Sequence, residues 1–355
     1  MKSVNNKHRY LSGVILYNML IIASINPNHF SEDKIRKIIL AGADVLRYNF
    51  GYNITEEKIG YIKKIGQIIN ELHSSSKILI DLPTNKTRLG NFDTMAYQVQ
   101  EGGEFILKSA LSSPDCESFI PVETEKLGEE VYENQTIIIG NGEVSIEVLE
   151  IINSETIRVR ALNNGVIHPM KSFNIILENH KYLQFLKDKI KKLEGIKYEY
   201  IAIPFINKKL NQEIKQLPEL KQIKAQIGIK IGNREAIDNL EHICKNGNYD
   251  LIIIDRGKLG INMPYEQLGI LQKKIVKIAQ KEKKQVFIST QILESTINNF
   301  VPSRSEIVDL TNMIIDKING IILCKETAIG NRPVYTIAVA KKIINEVQKN
   351  KTYYE

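Results

Sequence analysis

An alternation constrains this chain more than any other feature. Strand-length apolar runs recur at Met19–Ile25, Asp44–Asn49, Ile78–Leu82, Tyr198–Pro204, Ile223–Lys230, Leu251–Asp255, Gln285–Thr290 and Gly320–Leu323. With one exception, each is followed by an amphipathic, Lys/Glu-rich stretch with helical spacing. Thr55–Leu72 places Ile59, Ile62, Ile65, Ile68, Ile69 and Leu72 on one face, and Ser31 precedes Glu32-Asp33 as a helix cap would. Runs this short and apolar read as buried parallel strands. Eight strand–helix units predict an α/β fold, a closed (β/α)8 barrel. An open doubly wound sheet is the alternative, with little support because no GxGxxG follows the first strand.

The exception is the third unit. After Asp81 the alternation stops for about 95 residues, and from Val131 the text reads as short β segments: Gln135–Ile139, Val144–Ile152 and Thr156–Leu162. Asn141-Gly142 and Asn163-Asn164-Gly165 sit between these β-branched runs as hairpin turns do. The expected organisation is a barrel over 1–83 and 180–355 with an all-β lid domain, 84–179, inserted after strand three. The barrel resumes at His180 with a helix through Leu193 and finishes with a helix over Pro333–Lys349.

Composition narrows the function. At 43% hydrophobic and 25% charged, the chain of 355 residues is not disordered. No run of 18 apolar residues exists, so no membrane partner is expected. Polar breaks at Ser12, Gly13, Tyr17 and Asn18 argue against a signal peptide. Cys116, Cys244 and Cys324 lie far apart without a CxxC, which fits a reducing cytoplasm rather than a disulfide or zinc framework. The net charge of +7 has two readings: an anionic small-molecule partner, or a Lys-rich solvated surface. No basic stripe interleaved with aromatics is present, so nucleic acid is not expected.

In a (β/α)8 barrel, polar residues at the carboxyl ends of the strands converge on one site. That rule selects Arg47-Tyr48-Asn49, Asp81 with Arg88, Lys230 to Asn233, Asp255 to Lys258, Ser289 to Gln291 with Glu294, and Lys325 to Thr327. Arg47, Arg88, Lys230, Arg256, Lys258 and Lys325 make the set cationic, which suits phosphate or carboxylate. The alternative is that they pair with Asp81, Asp255, Glu294 and Glu326 as structural bridges.

Several of these stretches resemble motifs of the pyruvate kinase family. Ile21–Pro27 is similar to its first strand, and Arg47–Phe50 to its arginine–asparagine–phenylalanine motif. Lys230–Asn233 is similar to its fifth-strand lysine motif, and Asp255–Gly260 to its arginine–glycine–aspartate–leucine–glycine motif. Ser289–Ser295 resembles its threonine–glutamine–methionine–leucine–glutamate–serine segment. Pro302–Asp309 and Glu326–Gly330 follow in the family's order, and the β insertion sits where the family has its lid. The family's C-terminal regulatory domain has no counterpart, so its allosteric control is not expected.

The resemblance implies glycolytic phosphoryl transfer between phosphoenolpyruvate and ADP. It assigns Arg47 to the substrate phosphate, Lys230 to the transferring phosphoryl and enolate, and Thr290 to the substrate methylene. Arg256, Gly257 and Asn49 are placed in the substrate pocket, Asn49 and Asp81 in a potassium-type site, and Arg88 near the nucleotide phosphates of ADP or ATP. Magnesium and potassium are the cofactors if the family reaction is retained. Two departures bear on this. The family's metal-binding glutamate corresponds to Gly232, and its metal-binding aspartate to Lys258, a local change of three charge units. No divalent metal is therefore expected there. Gly51 and Leu82 also replace potassium-site side chains.

Three readings stand open. The first is a diverged enzyme binding phosphoenolpyruvate or a related phosphorylated or keto acid, with Lys258 supplying the charge of the metal. The second is a genuine pyruvate kinase with relocated metal ligands, and the third a catalytically dead binding protein. A homodimer through the barrel is left open.

Overall fold

The computed structural model describes residues 10–353, apart from 12–13, 16–18, 27–30, 51–53, 83–86, 94–95, 125, 141, 175–178, 206–207 and 215. The chain divides into two compact units. One comprises Met1–Phe50, Ile54–Leu82 and Lys189–Glu355, and the other Gly51–Asn53 and Pro83–Asp188.

The first unit contains a closed barrel of parallel strands: β1 (Leu20–Ile25), β2 (Val45–Asn49), β3 (Lys77–Asp81), β4 (Tyr200–Pro204), β5 (Gln226–Ile231), β6 (Leu251–Asp255), β7 (Gln285–Ser289) and β8 (Gly320–Leu323). Each strand pairs with its sequence neighbour, and β8 pairs with β1 through Gly320↔Leu20 to Leu323↔Ala23, closing the ring. The interior is filled by Ile22, Val45, Leu79, Tyr200, Ala202, Leu251, Ile253, Phe287 and Ile322. The rings of Tyr200 and Phe287 meet edge to face at 5.8 Å. Gly320 makes room for this layer, because a Cβ there would lie 2.8 Å from Ile22 Cδ1 and 3.0 Å from Phe287 Cδ1.

The helices form where capping and periodicity agree. Ser31 accepts from the Lys34 N–H at the start of Glu32–Leu40, and Thr55 from the Lys58 N–H at the start of Glu56–Glu71. Both helices open with two acidic residues, which favours their N-terminal ends electrostatically. Ile59, Ile62, Ile65, Ile68 and Ile69 are buried, as their spacing predicts.

Strand ends differ from the sequence expectation at every barrel strand except β6 and β8, and two of the differences have a local cause. β5 begins at Gln226 rather than Ile223, because Pro218 opens a short helix over Pro218–Gln222 with proline at its first position. β7 stops at Ser289 rather than Thr290, because Thr290 and Gln291 take φ values of 78° and 56° that no strand accommodates.

The second unit is built on a seven-stranded sheet. Its order is Ile120–Val122, Glu104–Ser109, Thr156–Ala161, Val144–Ile151, Thr136–Ile139, Ser172–Asn174 and Thr87–Arg88. Strands 136–139 and 144–151 are antiparallel neighbours, as the Asn141-Gly142 signal implies, and 144–151 pairs in turn with 156–161. Asn163-Asn164-Gly165 makes no hairpin, because the strand Gly165–Ile167 pairs with Tyr97–Val99. Gly142, in the first turn, takes φ 105°; Asn141 lies outside the described residues. A separate core that includes Leu107, Ile146, Val148, Val159 and Phe173 holds this unit together.

Candidate active site

The carboxyl ends of the barrel strands gather charged groups around one carboxylate. Asp81, the last residue of β3, is 2% exposed and shared between two cations. Arg47, on β2, donates to Asp81 Oδ2 from Nε (3.0 Å) and Nη2 (2.6 Å). Lys230, on β5, donates to Oδ1 at 2.5 Å. Burial alone would raise the Asp81 pKa, but the charges of Lys230 and Arg47 and their hydrogen bonds outweigh it and hold the carboxyl below the usual carboxylate range. For Arg47, burial disfavours the charge, and the attraction of Asp81 overcomes it. Its Nη1 donates to Ser24 Oγ at 2.8 Å and lies 3.9 Å from Cys324 Sγ. Burial pushes the Cys324 thiol up, while Arg47 pulls it down.

Arg256 has a different environment. Nε and Nη2 both donate to the Thr290 carbonyl (3.0 and 2.8 Å), Nη2 also donates to the Gln291 carbonyl (2.6 Å), and Nη1 donates to Asp309 Oδ2 (2.6 Å). The guanidinium thus holds the two left-handed residues after β7 in place. Those bonds place the Thr290 side chain against Gly257: a Cβ at Gly257 would sit 3.3 Å from Thr290 Cγ2 and 3.4 Å from its Oγ1.

Lys258 belongs to the helix Arg256–Asn262, whose cap is Asp255. Asp255 Oδ1 accepts from the Lys258 N–H at 3.3 Å. Opposite lies Gly232, the residue after β5. A Cβ on Gly232 would fall 2.5 Å from Lys258 Cβ. Asn262 ties the two segments by donating to the Gly232 carbonyl (2.8 Å) and the Lys258 carbonyl (3.0 Å). Among the described residues, no hydrogen bond or ion pair reaches the Lys258 ammonium.

The remaining candidates sit as follows. Lys325 pairs with Glu294 at 2.9 Å, which raises the lysine pKa. Glu326 is buried, and its Oε1 accepts from the Ile292 N–H at 3.2 Å; burial raises its pKa. Asn49 ends β2 and is exposed. Arg88 belongs to the second unit, in a strand paired with Ser172–Phe173. Gly51 and Pro27 lie outside the described residues.

The comparisons with known proteins agree with this architecture. A family model described as "Pyruvate kinase, barrel domain" matches residues 17–337. The chain belongs to the pyruvate kinase family. It is 29% identical to the pyruvate kinase of Thermotoga maritima over 344 residues, covering 94% of this chain and 72% of that protein. It is 29% identical to the enzyme of Thermococcus litoralis, with 93% and 69% covered. Pyruvate kinase 2 of Synechocystis sp. is 30% identical, with 93% of this chain and 56% of that protein covered.

The residues present do not fit the family's metals. A hard divalent cation needs oxygen ligands, mostly carboxylates. The positions that the resemblance pairs with the family's metal-binding carboxylates carry Gly232, with no side chain, and Lys258, a cation. Unit charges about 4 Å apart repel by roughly 4 kcal/mol at an effective dielectric near 20, and a divalent ion doubles that. Asp255 is engaged as a helix cap, and both oxygens of Asp81 are taken by Arg47 and Lys230. Among the described residues, no group of three or more His, Cys, Asp or Glu side chains could hold a metal ion. In the potassium-type set, Asp81 already accepts from two cations, and Leu82 carries a buried alkyl side chain with no side-chain oxygen.

Sequence reasoning did not find Ser24, Asp309 or Asn262. Asp309 was within reach, since it closes the Pro302–Asp309 motif. Nothing in the sequence pairs it with Arg256 across 53 residues.

Proposed function

We propose that the barrel mouth binds a small acid bearing phosphate and carboxylate groups, phosphoenolpyruvate or a related phosphorylated or 2-oxo acid, without a divalent metal. The observation that supports this reading best is the Lys258 ammonium, standing without a counter-ion among the described residues beside a backbone that leaves no room for a metal-binding side chain. Arg47 and Lys230 share the single carboxylate of Asp81, so that cluster carries one net positive charge and attracts an anion.

In this reading Arg47 and Lys230 hold the phosphate. Their contacts to Asp81 fix both side chains before the ligand arrives, so little ordering remains on binding. Lys258 neutralises charge on the carboxylate and on any enolate. Thr290 packs beside the reacting carbon, in a position set by Arg256. Phosphoryl transfer here would break the phosphorus–oxygen bond of phosphoenolpyruvate and form one to the terminal oxygen of ADP. The enolate would then take a proton to give pyruvate. Such chemistry depends on positioning and charge neutralisation, which cationic side chains can supply.

The test is release of pyruvate from phosphoenolpyruvate and ADP, with magnesium and potassium and again with EDTA, for the native chain and Lys258→Ala. The expected result is turnover that survives EDTA and is lost in Lys258→Ala. Turnover that requires magnesium would favour relocated metal ligands. Phosphoenolpyruvate binding without turnover would assign the chain a binding role.

A further inference from the structure

The close approach of Gly232 to Lys258 implies more than a change of charge. The Cβ of Lys258 occupies the space that any side chain at position 232 would need, at 2.5 Å from the point where that side chain would begin. Asp255 Cβ is also near, at 3.8 Å. Such a distance lies far inside van der Waals contact, and the obstacle is the first carbon of the neighbour rather than the tip of a flexible chain. Aspartate has a Cβ too, so replacing lysine by aspartate does not remove the obstacle. The approach is held from both sides. Asn262 grips the carbonyls of Gly232 and Lys258 at 2.8 and 3.0 Å. Asp255 caps the helix, and Gly257 rests on Thr290.

From this we infer that Gly232 and Lys258 form a steric pair that sets the cofactor specificity of the barrel at the level of the backbone. The end of β5 and the start of the helix Arg256–Asn262 are packed too closely for a carboxylate at 232. Restoring both family carboxylates therefore does not restore a divalent-metal site. The inference deepens the metal-free reading of the mouth and rests on it for its functional meaning, but its steric part stands alone.

Two experiments test it. In the first, Mn2+ binding is measured by electron paramagnetic resonance for the native chain, Lys258→Asp and the double variant Gly232→Glu/Lys258→Asp. Circular dichroism confirms that each is folded. Lys258→Asp alone should bind Mn2+ more tightly than the native chain because a repelling charge is gone, and adding Gly232→Glu should change that affinity by less than about tenfold. A folded double variant binding Mn2+ a hundredfold more tightly than Lys258→Asp would overturn the inference.

In the second, thermal unfolding is compared for Gly232→Ala, Lys258→Gly and both together. This keeps the inference testable if the charged double variant does not fold. Gly232→Ala should lower Tm by roughly 2–6 °C through overpacking, about 1–3 kcal/mol at about 2 °C per kcal/mol. Adding Lys258→Gly, which removes the obstructing Cβ, should return Tm to within about 2 °C of Lys258→Gly alone. A native-like Tm for Gly232→Ala, or additive losses in the double variant, would refute the steric pair. Failure of phosphoenolpyruvate to bind would instead refute the functional reading and leave the unfolding result untouched.

Discussion

Replacing Asp81 by Asn separates what this carboxylate does for the fold from what it does to the ligand. Asp81 is 2% exposed, and its partners Arg47 and Lys230 have side chains only 13% and 16% exposed. Removing its charge leaves two mostly buried cations with no counter-ion, and breaking buried pairs in this way costs about 3–5 kcal/mol. Asparagine keeps one acceptor, so the lower end applies, a fall in Tm of about 6 °C at roughly 2 °C per kcal/mol. The same change makes the mouth more positive by one unit. Inorganic phosphate should therefore bind at least tenfold more tightly, an increase of about 1.4 kcal/mol. The variant is thus less stable when empty and is rescued more strongly by phosphate than the native chain is.

The pH dependence has a definite sign. A carboxyl whose folded-state pKa is depressed contributes stability that is present above its unfolded pKa, near 3.9, and lost as pH falls through the folded value. The gap between native and Asp81→Asn should persist from pH 5 to 8 and close only below about pH 4. The chain has no tryptophan, so far-UV circular dichroism in a urea series suits the measurement. A variant within about 0.5 kcal/mol of native stability, with unchanged phosphate affinity, would refute the shared-carboxylate argument.

Two further outcomes are expected. Arg256→Lys keeps the charge but cannot reproduce the fork onto the Thr290 and Gln291 carbonyls and Asp309; amide exchange at Thr290–Gln291 should quicken and phosphate affinity fall about tenfold, and unchanged exchange would show that the fork does not hold that turn. Glu326→Gln should stabilise at pH 8 and be neutral at pH 4, because burial raises this carboxyl's folded pKa, so its favourable contribution is complete below the unfolded pKa, near 4.3, and lost as pH rises through the folded one. Equal Tm differences at both pH values would contradict that origin.

How much could be read from the sequence depended on the length of each signal. Leu251–Asp255, flanked by Asp250 and Arg256, and Gly320–Leu323, which follows Asn319, emerge with those limits in the structure. The Ile223 edge misled because one apolar residue after Pro218–Gln222 looks like a strand start. In the second unit, strands of two or three residues such as Thr87–Arg88 and Tyr97–Val99 are too short to show alternation. Their pairing partners, Ser172–Asn174 and Gly165–Ile167, lie about 70–85 residues away in the chain, so only the fold brings them together. The site was legible as a set of strand-end positions, since barrel topology brings those together. Its pairings were not. That Arg256 serves a turn, and that Gly232 faces Lys258 Cβ, are consequences of three-dimensional packing between residues far apart in the chain.

The most direct measurement is calorimetric titration of phosphoenolpyruvate into the purified protein in EDTA and again in excess magnesium. Metal-free charge neutralisation by Lys258 predicts binding in EDTA with a Kd that magnesium changes by less than about threefold. Binding seen only when magnesium is present would contradict it.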